Sequence, residues 1–125
     1  MHAINWFEIP TLDIDRAVLF YEQIFKCTMR RMELPGEQEP IPMAVFPAEA
    51  EGVSGALVHI KEHRPACAGP LLYLNANPDL DVVLSRVASA GGQIIMPKTQ
   101  IPNGFGYMGI FVDSEGNHMA LHSMG

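Results

Sequence analysis

"TLDIDRAVLFYEQIF", residues 11–25, carries the periodicity that decides the first half of the fold. Apolar side chains recur at helical spacing, at Ile14, Ala17, Val18, Tyr21, Ile24 and Phe25. Thr11 and Asp13 can cap the first turn, and Asp13 and Asp15 suit the positive end of a helix dipole. The apolar run "INWFEIP" precedes this stretch. The sequence therefore predicts a strand, a short turn and a helix.

Outward from this helix, the rest of the chain divides into further strands and one more helix. Three predicted strands follow it, "CTMRRMEL", "IPMAVFP" and "GALVHI", separated by the turn-rich runs "PGEQEP" and "AEAEGVS". After the connector "KEHRPACAG", "PLLYLNA" predicts a strand and "PDLDVVLSRVASA" a helix that "GG" ends. "QIIMP", "YMGIFVD" and "NHMALHS" predict three more strands. The order β-α-β-β-β therefore occurs twice.

Short words recur between the two halves at nearly constant spacing. "LDID" at 12–15 matches "PDLD" at 78–81, an offset of 66 (78 − 12). "GVSGAL" at 52–57 matches "GNHMAL" at 116–121, an offset of 64 (116 − 52). Each half alone is a small open sheet with one helix, which buries its apolar face poorly. Pairing two halves solves this problem and leaves a concave sheet surface.

Composition narrows the classes of protein to consider. The chain has 125 residues, 48% hydrophobic and 18% charged, which predicts one globular domain. A net charge of −6 with scattered Lys and Arg argues against a nucleic-acid partner. Cys27 and Cys67 are too few for a disulfide framework. The sequence shows neither a signal peptide nor an apolar run of membrane-spanning length, so we expect a cytoplasmic protein without membrane contact.

A match to the dinucleotide-binding pattern G-x-G-x-x-G occurs at 104–109, "GFGYMG". That fingerprint requires a helix to open from it, whereas "IFVDSEGN" predicts a strand and a turn. We therefore treat the match as chance. Two interpretations of the surrounding "IPNGFGY" stay open: a mobile loop, with 102–106 as a lid over a cavity, or a flexible hairpin connection.

Three motifs, "DIDRAVLFYEQIF", "AGGQIIMP" and "FVDSEGNHMALH", resemble the vicinal oxygen chelate superfamily, the group of glyoxalases, bleomycin resistance proteins and extradiol dioxygenases. The resemblance covers essentially the whole chain and is greatest to metal-poor bacterial members. It implies an α+β fold in which tandem β-α-β-β-β modules form a curved mixed sheet around a cavity. Module 1 is then about 1–61, the connector 62–69 and module 2 70–125. The resemblance also implies a homodimer.

Metal-dependent members of this superfamily hold a divalent ion with His, Glu or Gln on the first and last strands of each module. By the resemblance, these positions fall on Trp6, Ala56, Leu72 and Ala120. A slip of one residue gives Asn5 or Phe7 in the first module and Leu71 or Tyr73 in the second. Trp, Ala and Leu side chains do not coordinate divalent cations. We therefore expect neither a metal site nor a cofactor.

Strand alternation sorts the remaining side chains if the former metal positions face the cavity. The inward set is then Ile4, Trp6, Glu8, Ser54, Ala56, Val58, Leu72, Leu74, His118, Ala120 and His122, and His59 faces away. The candidate ligand-binding residues are Trp6, Glu8, Met43, Phe105, Tyr107, His118 and His122. A largely apolar cavity with a few polar groups is typical of a small-molecule site. Trp6 either stacks on a planar ligand or fills the space of the missing metal.

The chemistry of the polar side chains stays open. Glu8 and His122 are weak candidates for a general acid–base pair, with a hydrogen-bonded structural pair as the alternative. Lys98 either meets an anionic ligand or is an ordinary solvated lysine. His118 and His122 do not share a metal, because four strand residues span about 13 Å, and a metal–nitrogen bond is only about 2 Å.

The sequence thus favours a metal-independent small-molecule-binding protein, similar to the bleomycin-resistance branch. The alternative is a glyoxalase-type lyase or isomerase with an unrecognised divalent metal site. A purely structural interaction module is a third hypothesis.

Overall fold

Two four-stranded mixed sheets make up the computed structural model, which describes residues 2–125. The strands are β1 (Trp6–Pro10), β2 (Arg30–Leu34), β3 (Ile41–Val45), β4 (Ser54–Val58), β5 (Tyr73–Asn75), β6 (Gln93–Gln100), β7 (Tyr107–Val112) and β8 (His118–Ser123). The helices are α1 (Ile14–Phe25), α2 (Leu80–Leu84) and α3 (Val87–Ala90). A 3-10 turn spans Pro102–Gly104.

The two sheets have the same topology. Their strand orders are β1-β4-β3-β2 and β5-β8-β7-β6. In each sheet the first and last strands of the module pair in parallel, β1 with β4 and β5 with β8, and the other pairs are antiparallel. The predicted α+β fold with tandem β-α-β-β-β modules is therefore confirmed. The mixed sheet is divided into two separate sheets.

Helix α1 begins and ends as its sequence predicts. The Asp13 carboxylate accepts from the backbone N–H of Arg16 at 3.1 Å, which satisfies a donor left free at the helix start. The helix ends at Phe25, and the following residue, Lys26, has a left-handed backbone with φ 52°. The buried residues are Ala17, Val18, Phe20, Tyr21 and Ile24. At 12 residues α1 is the longest helix, and no helix in the described residues has the length and hydropathy of a membrane span.

The second helical stretch is interrupted, whereas the sequence predicted one helix over 78–90. Helix α2 ends at Leu84, and the hydroxyl of the following residue, Ser85, donates to the carbonyl of Val82 at 3.0 Å. Such local side-chain bonds compete with a regular helix. The guanidinium of the next residue, Arg86, donates to the carbonyl of Ile24 at 3.0 Å and so joins this break to the end of α1. Gly91 ends α3 in the left-handed conformation, with φ 108°, as "GG" predicts.

One continuous apolar core joins the two modules. Helix α1 packs on β3 and β4 of its own sheet and also against α2 and α3. Fully buried residues of both modules share this core, among them Ile9, Phe20 and Leu57 from the first, and Leu80, Val87, Phe111 and Leu121 from the second. Neither module could therefore bury its helix face to the same extent alone.

A turn in the second module is hydrogen-bonded to the start of the helix of the first module. This DSEGN turn (residues 113–117) connects β7 to β8. The buried Glu115 carboxylate accepts from the backbone N–H groups of Leu12 and Asp13, at 2.9 and 2.7 Å. It also accepts two bonds from the Arg16 guanidinium, at 2.7 and 3.1 Å. The start of α1 is thus held by a residue about a hundred positions later in the chain.

Asp113 and Asn117 of the DSEGN turn are buried as well. Asp113 accepts from the hydroxyl of Tyr21 at 2.7 Å. The Asn117 amide donates to the carbonyl of Pro10 at 2.9 Å, and its oxygen accepts from the backbone N–H of Ala66 at 3.2 Å. The turn therefore contacts β1, α1 and the connector at once.

Candidate functional site

Each sheet has a face that packs on the helices and an opposite face, which we call the open face. Register fixes the open face of the first sheet: Trp6 lies beside Ser54, and Glu8 beside Ala56, which lies beside Val45. The open face of the second sheet carries Tyr73, Asn75, His118, Ala120, His122, Met108, Ile110 and Val112. The predicted placement of Trp6, Glu8, His118 and His122 on the same faces as Ala56 and Ala120 thus holds.

The prediction for β5 was wrong by one residue. The backbone N–H of Thr11 donates to Val58 at 2.9 Å, and in the second module Ala76 donates to His122 at 2.8 Å. These equivalent bonds give an offset of 65 (76 − 11) for the first strands, so the counterpart of Trp6 is Leu71. Leu72 and Leu74 instead face the helices and pack on the core.

The residues at the former metal positions do not fit a divalent ion. With β5 corrected, these positions hold Trp6, Ala56, Leu71 and Ala120. Ala and Leu have no donor atom, and the indole nitrogen of Trp carries a hydrogen and only donates. In the described part of the chain, no group of three or more His, Cys, Asp or Glu side chains is placed to hold a metal.

A cleft of about 410 Å³ runs along β1 between the two modules. Three of the predicted ligand-binding residues line it: Trp6 and Glu8 from β1, and His118 from β8. The indole nitrogen of Trp6 donates to Glu8 Oε2 at 3.3 Å. Trp6 is 43% exposed, and Glu8 and His118 are half-buried. The cleft therefore offers an aromatic surface beside a carboxylate and an imidazole.

The connector supplies a wall of this cleft that sequence reasoning missed. His63, Arg64, Ala66 and Ala68 of the connector line the cleft together with β1. The backbone bond from the N–H of His118 to the carbonyl of Ala66, 3.4 Å, fixes the connector beside β8. No motif in "KEHRPACAG" indicates this position, because it depends on contacts with residues about fifty positions later.

Glu8 and His122 each have another hydrogen-bond partner. Glu8 accepts from Trp6. His122 Nε2 lies 2.6 Å from the carbonyl oxygen of Phe105, and a carbonyl only accepts, so this nitrogen donates. His122 does not line the cleft that contains Glu8. The structure thus joins His122 to Phe105, and it brings Glu8 together with Trp6 and His118 instead.

Met43 and Tyr107, like Phe105 and His122, do not line the cleft. Met43 is buried on the open face of the first sheet, in a small apolar cluster with Ala56 and Val58. Tyr107 pairs with the buried Ser123 on the helix face of the second sheet and packs on the core. The cavity placement of Tyr107 was therefore wrong, because it alternates with Met108, which faces the open side.

Lys98 has an ion-pair partner. Its ammonium lies 2.9 Å from Asp79 Oδ1 and 4.6 Å from the ring centroid of Tyr107. The hydrogen bond to Asp79 raises the pKa of Lys98, and the same bond from Lys98 lowers the pKa of the Asp79 carboxyl. Asp79 also caps α2. Lys98 therefore has a structural role, in which it pairs with the residue that caps α2.

The glycine-rich loop at 101–106 is a hairpin connection between β6 and β7 that is fastened to β8. The backbone N–H of Ile101 donates to the carbonyl of Gly106 at 2.7 Å, and His122 bonds the carbonyl of Phe105. The ring of Phe105 is 65% exposed. Strand β7 begins inside the GFGYMG match, and no helix in the described residues opens from it, so the match lacks the structure of a dinucleotide-binding fingerprint.

Comparison with known proteins gives the family. The model of the Glyoxalase/Bleomycin resistance protein/Dioxygenase superfamily matches residues 3–121. None of the curated protein sequences is significantly similar to this chain.

Solved structures share the fold at low sequence identity. The hypothetical protein SA1046 from S. aureus is 18% identical, with a TM-score of 0.65 over 98% of this chain and 95% of that one. TnmS3, an antibiotic binding protein from Streptomyces sp. CB03234, is 18% identical, with a TM-score of 0.63 over 98% and 96%. A V278E mutant of glyoxalase I from Zea mays is 17% identical, with a TM-score of 0.65 over 95% of this chain and 45% of that one.

Proposed function

Because this chain belongs to the glyoxalase/bleomycin resistance protein/dioxygenase superfamily, we propose that it binds a small organic molecule without a metal ion. One observation carries the proposal. After the correction of β5, the four positions of the metal ligands hold Trp6, Ala56, Leu71 and Ala120, whose side chains do not coordinate divalent cations. A cleft nevertheless remains beside Trp6.

The cleft favours a partly apolar, planar ligand. A planar ligand can pack against the exposed face of Trp6, because aromatic rings attract one another in offset or edge-to-face pairs. Glu8 and His118 supply the few polar contacts that orient a ligand in such sites. TnmS3, an antibiotic binding protein, has the same fold, so this fold is compatible with sequestration of a ligand. We assign no catalytic residue, because Glu8 and His122 lie apart.

Tryptophan fluorescence tests ligand binding directly, since Trp6 is the single tryptophan. A panel of aromatic amides, phenols and quinones is screened by thermal shift, and each hit is titrated against Trp6 emission. We expect saturable changes in Trp6 emission. His118→Ala should lower the affinity for the ligand about fivefold, the effect of losing one hydrogen bond of about 1 kcal/mol. His59→Ala is the matched control, because His59 does not line the cleft. Hits that leave Trp6 emission unchanged would contradict the proposal.

Metal analysis tests the other half of the proposal. Purified protein is assayed for bound metal, and thermal shift is recorded with Ni, Zn, Mn, Fe and Co. We expect no stoichiometric metal and no large shift, because the donor atoms are missing. Tight stoichiometric binding with a large shift would overturn the metal-free function and favour a glyoxalase-type lyase or isomerase.

We also propose a homodimer, as the resemblance implies. Exposed apolar side chains on the outer strands β2 and β6, namely Met32, Ile94 and Ile95, support it, because such side chains often mark an interface. Sedimentation equilibrium should give twice the chain mass of 13.8 kDa. A monomer at micromolar concentration would refute the dimer and leave the cleft proposal untouched.

A further inference from the structure

A second cavity, which we call the apolar cavity, lies between the modules near the end of α1. Its volume is about 860 Å³, within the range of about 300–1,000 Å³ typical of ligand pockets. Phe7, Phe25, Cys27 and Phe46 line it from the first module, and 71–75 from the second. Trp6, Glu8 and His118 do not line it. It is therefore distinct from the cleft, although the two share part of their walls.

The apolar cavity is lined without Asp, Glu, Lys or Arg among the described residues. This sets it apart in a chain with 14 acidic and 8 basic residues. The cleft, by contrast, contains Glu8 and Arg64. A charged ligand that entered the apolar cavity would lose its hydration at a cost of several kcal/mol, and the exposed imidazole of His2 is the one basic side chain among the described lining residues. The lining therefore selects an uncharged ligand.

Aromatic rings form one wall of the apolar cavity. Phe7 and Phe46 lie with their centroids 5.7 Å apart and their planes tilted by 37°. Behind them, the buried Tyr21 packs edge-on against Phe46 at 5.4 Å and stacks on Phe25 at 6.4 Å. These contacts hold Phe7, Phe25 and Phe46 in place, and their remaining surfaces line the cavity. Such a wall favours an aromatic ligand, because ring pairs gain about 0.5–1.5 kcal/mol beyond burial.

Two side chains in this lining, Asn75 and Cys27, offer a donor, and those of His2 and Tyr73 can both donate and accept. The Ser54 hydroxyl already donates to the carbonyl of Phe46, at 2.8 Å. Asn75 Oδ1 accepts from the backbone and the side chain of Asn77, at 3.0 and 2.9 Å. The side-chain nitrogen of Asn75 can therefore donate to a ligand. Burial, and then the charge of Glu22, raises the pKa of the Cys27 thiol, so it stays protonated and donates weakly. A carbonyl oxygen on the ligand would match both donors.

We propose that the apolar cavity is a binding site for an uncharged aromatic molecule that carries a carbonyl acceptor. This site goes beyond the cleft and does not depend on it. Trp6 does not line the apolar cavity, so failure of either test leaves the other proposal standing.

The uncharged dye Nile red, an aromatic ketone whose emission rises in apolar surroundings, is the probe. We expect the full-length chain to bind one dye per chain. Cys27→Phe fills the cavity and should weaken binding at least tenfold. Cys67→Phe is the matched control, because Cys67 is exposed and lies outside the cavity. Equal binding by wild type and Cys27→Phe, or an equal loss in Cys67→Phe, would overturn the proposal.

Alkylation gives a second measurement that does not require Cys27→Phe to fold. In Cys67→Ser protein, saturating Nile red should slow the reaction of Cys27 with N-ethylmaleimide at least fivefold. In Cys27→Ser protein, the dye should leave the reaction of Cys67 unchanged. Unprotected Cys27 would overturn the site. Displacement of Nile red by equimolar anionic 8-anilinonaphthalene-1-sulfonate would overturn the selection for an uncharged ligand.

Discussion

At the residue scale, Glu115 connects the two modules more directly than any predicted site residue. Its carboxylate accepts from two backbone N–H groups at the start of α1 and from the guanidinium of Arg16. A negative charge is also favourable there because of the helix dipole. The sequence motif that carries the family resemblance thus has a structural role, in which the Glu of "DSEGN" binds the two residues that precede α1 of the other module.

Protonation of Glu115 should weaken this connection. Burial alone would raise the pKa of Glu115, but the bonds from Arg16, Asp13, Ser114 and Leu12 outweigh burial and hold the pKa below its ordinary value of 4.5. A lowered pKa means that the unfolded chain binds the proton more readily than the folded one. The stability contributed by Glu115 is therefore fully present above pH 4.5 and is lost as the pH falls through the lowered pKa.

Glu115→Gln should lower the free energy of unfolding at pH 7 by about 1–3 kcal/mol, the range for leaving buried partners unsatisfied. Its stability should also fall less steeply than that of the wild type below pH 4.5. Urea denaturation at several pH values measures both effects. Glu62→Gln is the control, because Glu62 is exposed. Identical pH profiles for wild type and Glu115→Gln would contradict the assigned role.

At the element scale, the loop at 101–106 is fastened to the end of β8. Gly106 has φ 88°, and a Cβ there would overlap the carbonyl oxygen of Ser123 and lie 3.2 Å from His122 Nε2. Gly104 also has a positive φ, 76°, but a Cβ there would meet no atom within 4 Å. Substitution of Gly104 therefore measures the energetic cost of the backbone conformation alone, and substitution of Gly106 adds the cost of the steric overlap with β8.

Gly104→Ala should destabilise the protein by about 1–2 kcal/mol, the cost of a left-handed residue with a side chain. Gly106→Ala should cost about 1–3 kcal/mol more, because it also overpacks the contact with β8. Thermal and urea unfolding of both variants measure the difference. Equal destabilisation would show that the loop is not packed on β8, and would reopen its interpretation as a mobile lid.

At the scale of the whole molecule, the two modules share one apolar core. Helix α1 contacts α2 and α3, and the DSEGN turn of the second module holds the start of α1. Each half contributes fully buried side chains to the same cluster. Loss of one module would expose the core of the other.

The protein should therefore unfold in a single transition. Trp6 emission reports on the first module, and far-UV circular dichroism reports on the whole chain. The two midpoints in urea should coincide, as expected when no intermediate is populated. Separate midpoints would show that the modules fold independently.

Much of the fold could be predicted because its signals are local. The spacing of apolar residues and the cap at Asp13 predicted α1, and the recurrence of "GVSGAL" as "GNHMAL" predicted the tandem modules. The open faces of β1, β4 and β8 followed from alternation. In β5 the same argument failed, because a shift of one residue moves every side chain to the other face. That shift placed Leu72 in the predicted site instead of Leu71.

The sequence by itself determined the order of elements, the family resemblance and the absence of metal-ligating side chains at Ala56 and Ala120, because these depend on residue type and short spacing. Only the tertiary structure decided that Glu115 binds the start of α1, that the connector lines the cleft and that Phe7 and Cys27 share an apolar cavity with 71–75. These features join residues that are about fifty to a hundred positions apart in the chain. Contacts at such distances leave no local periodicity, so they emerge only when both modules pack on one core.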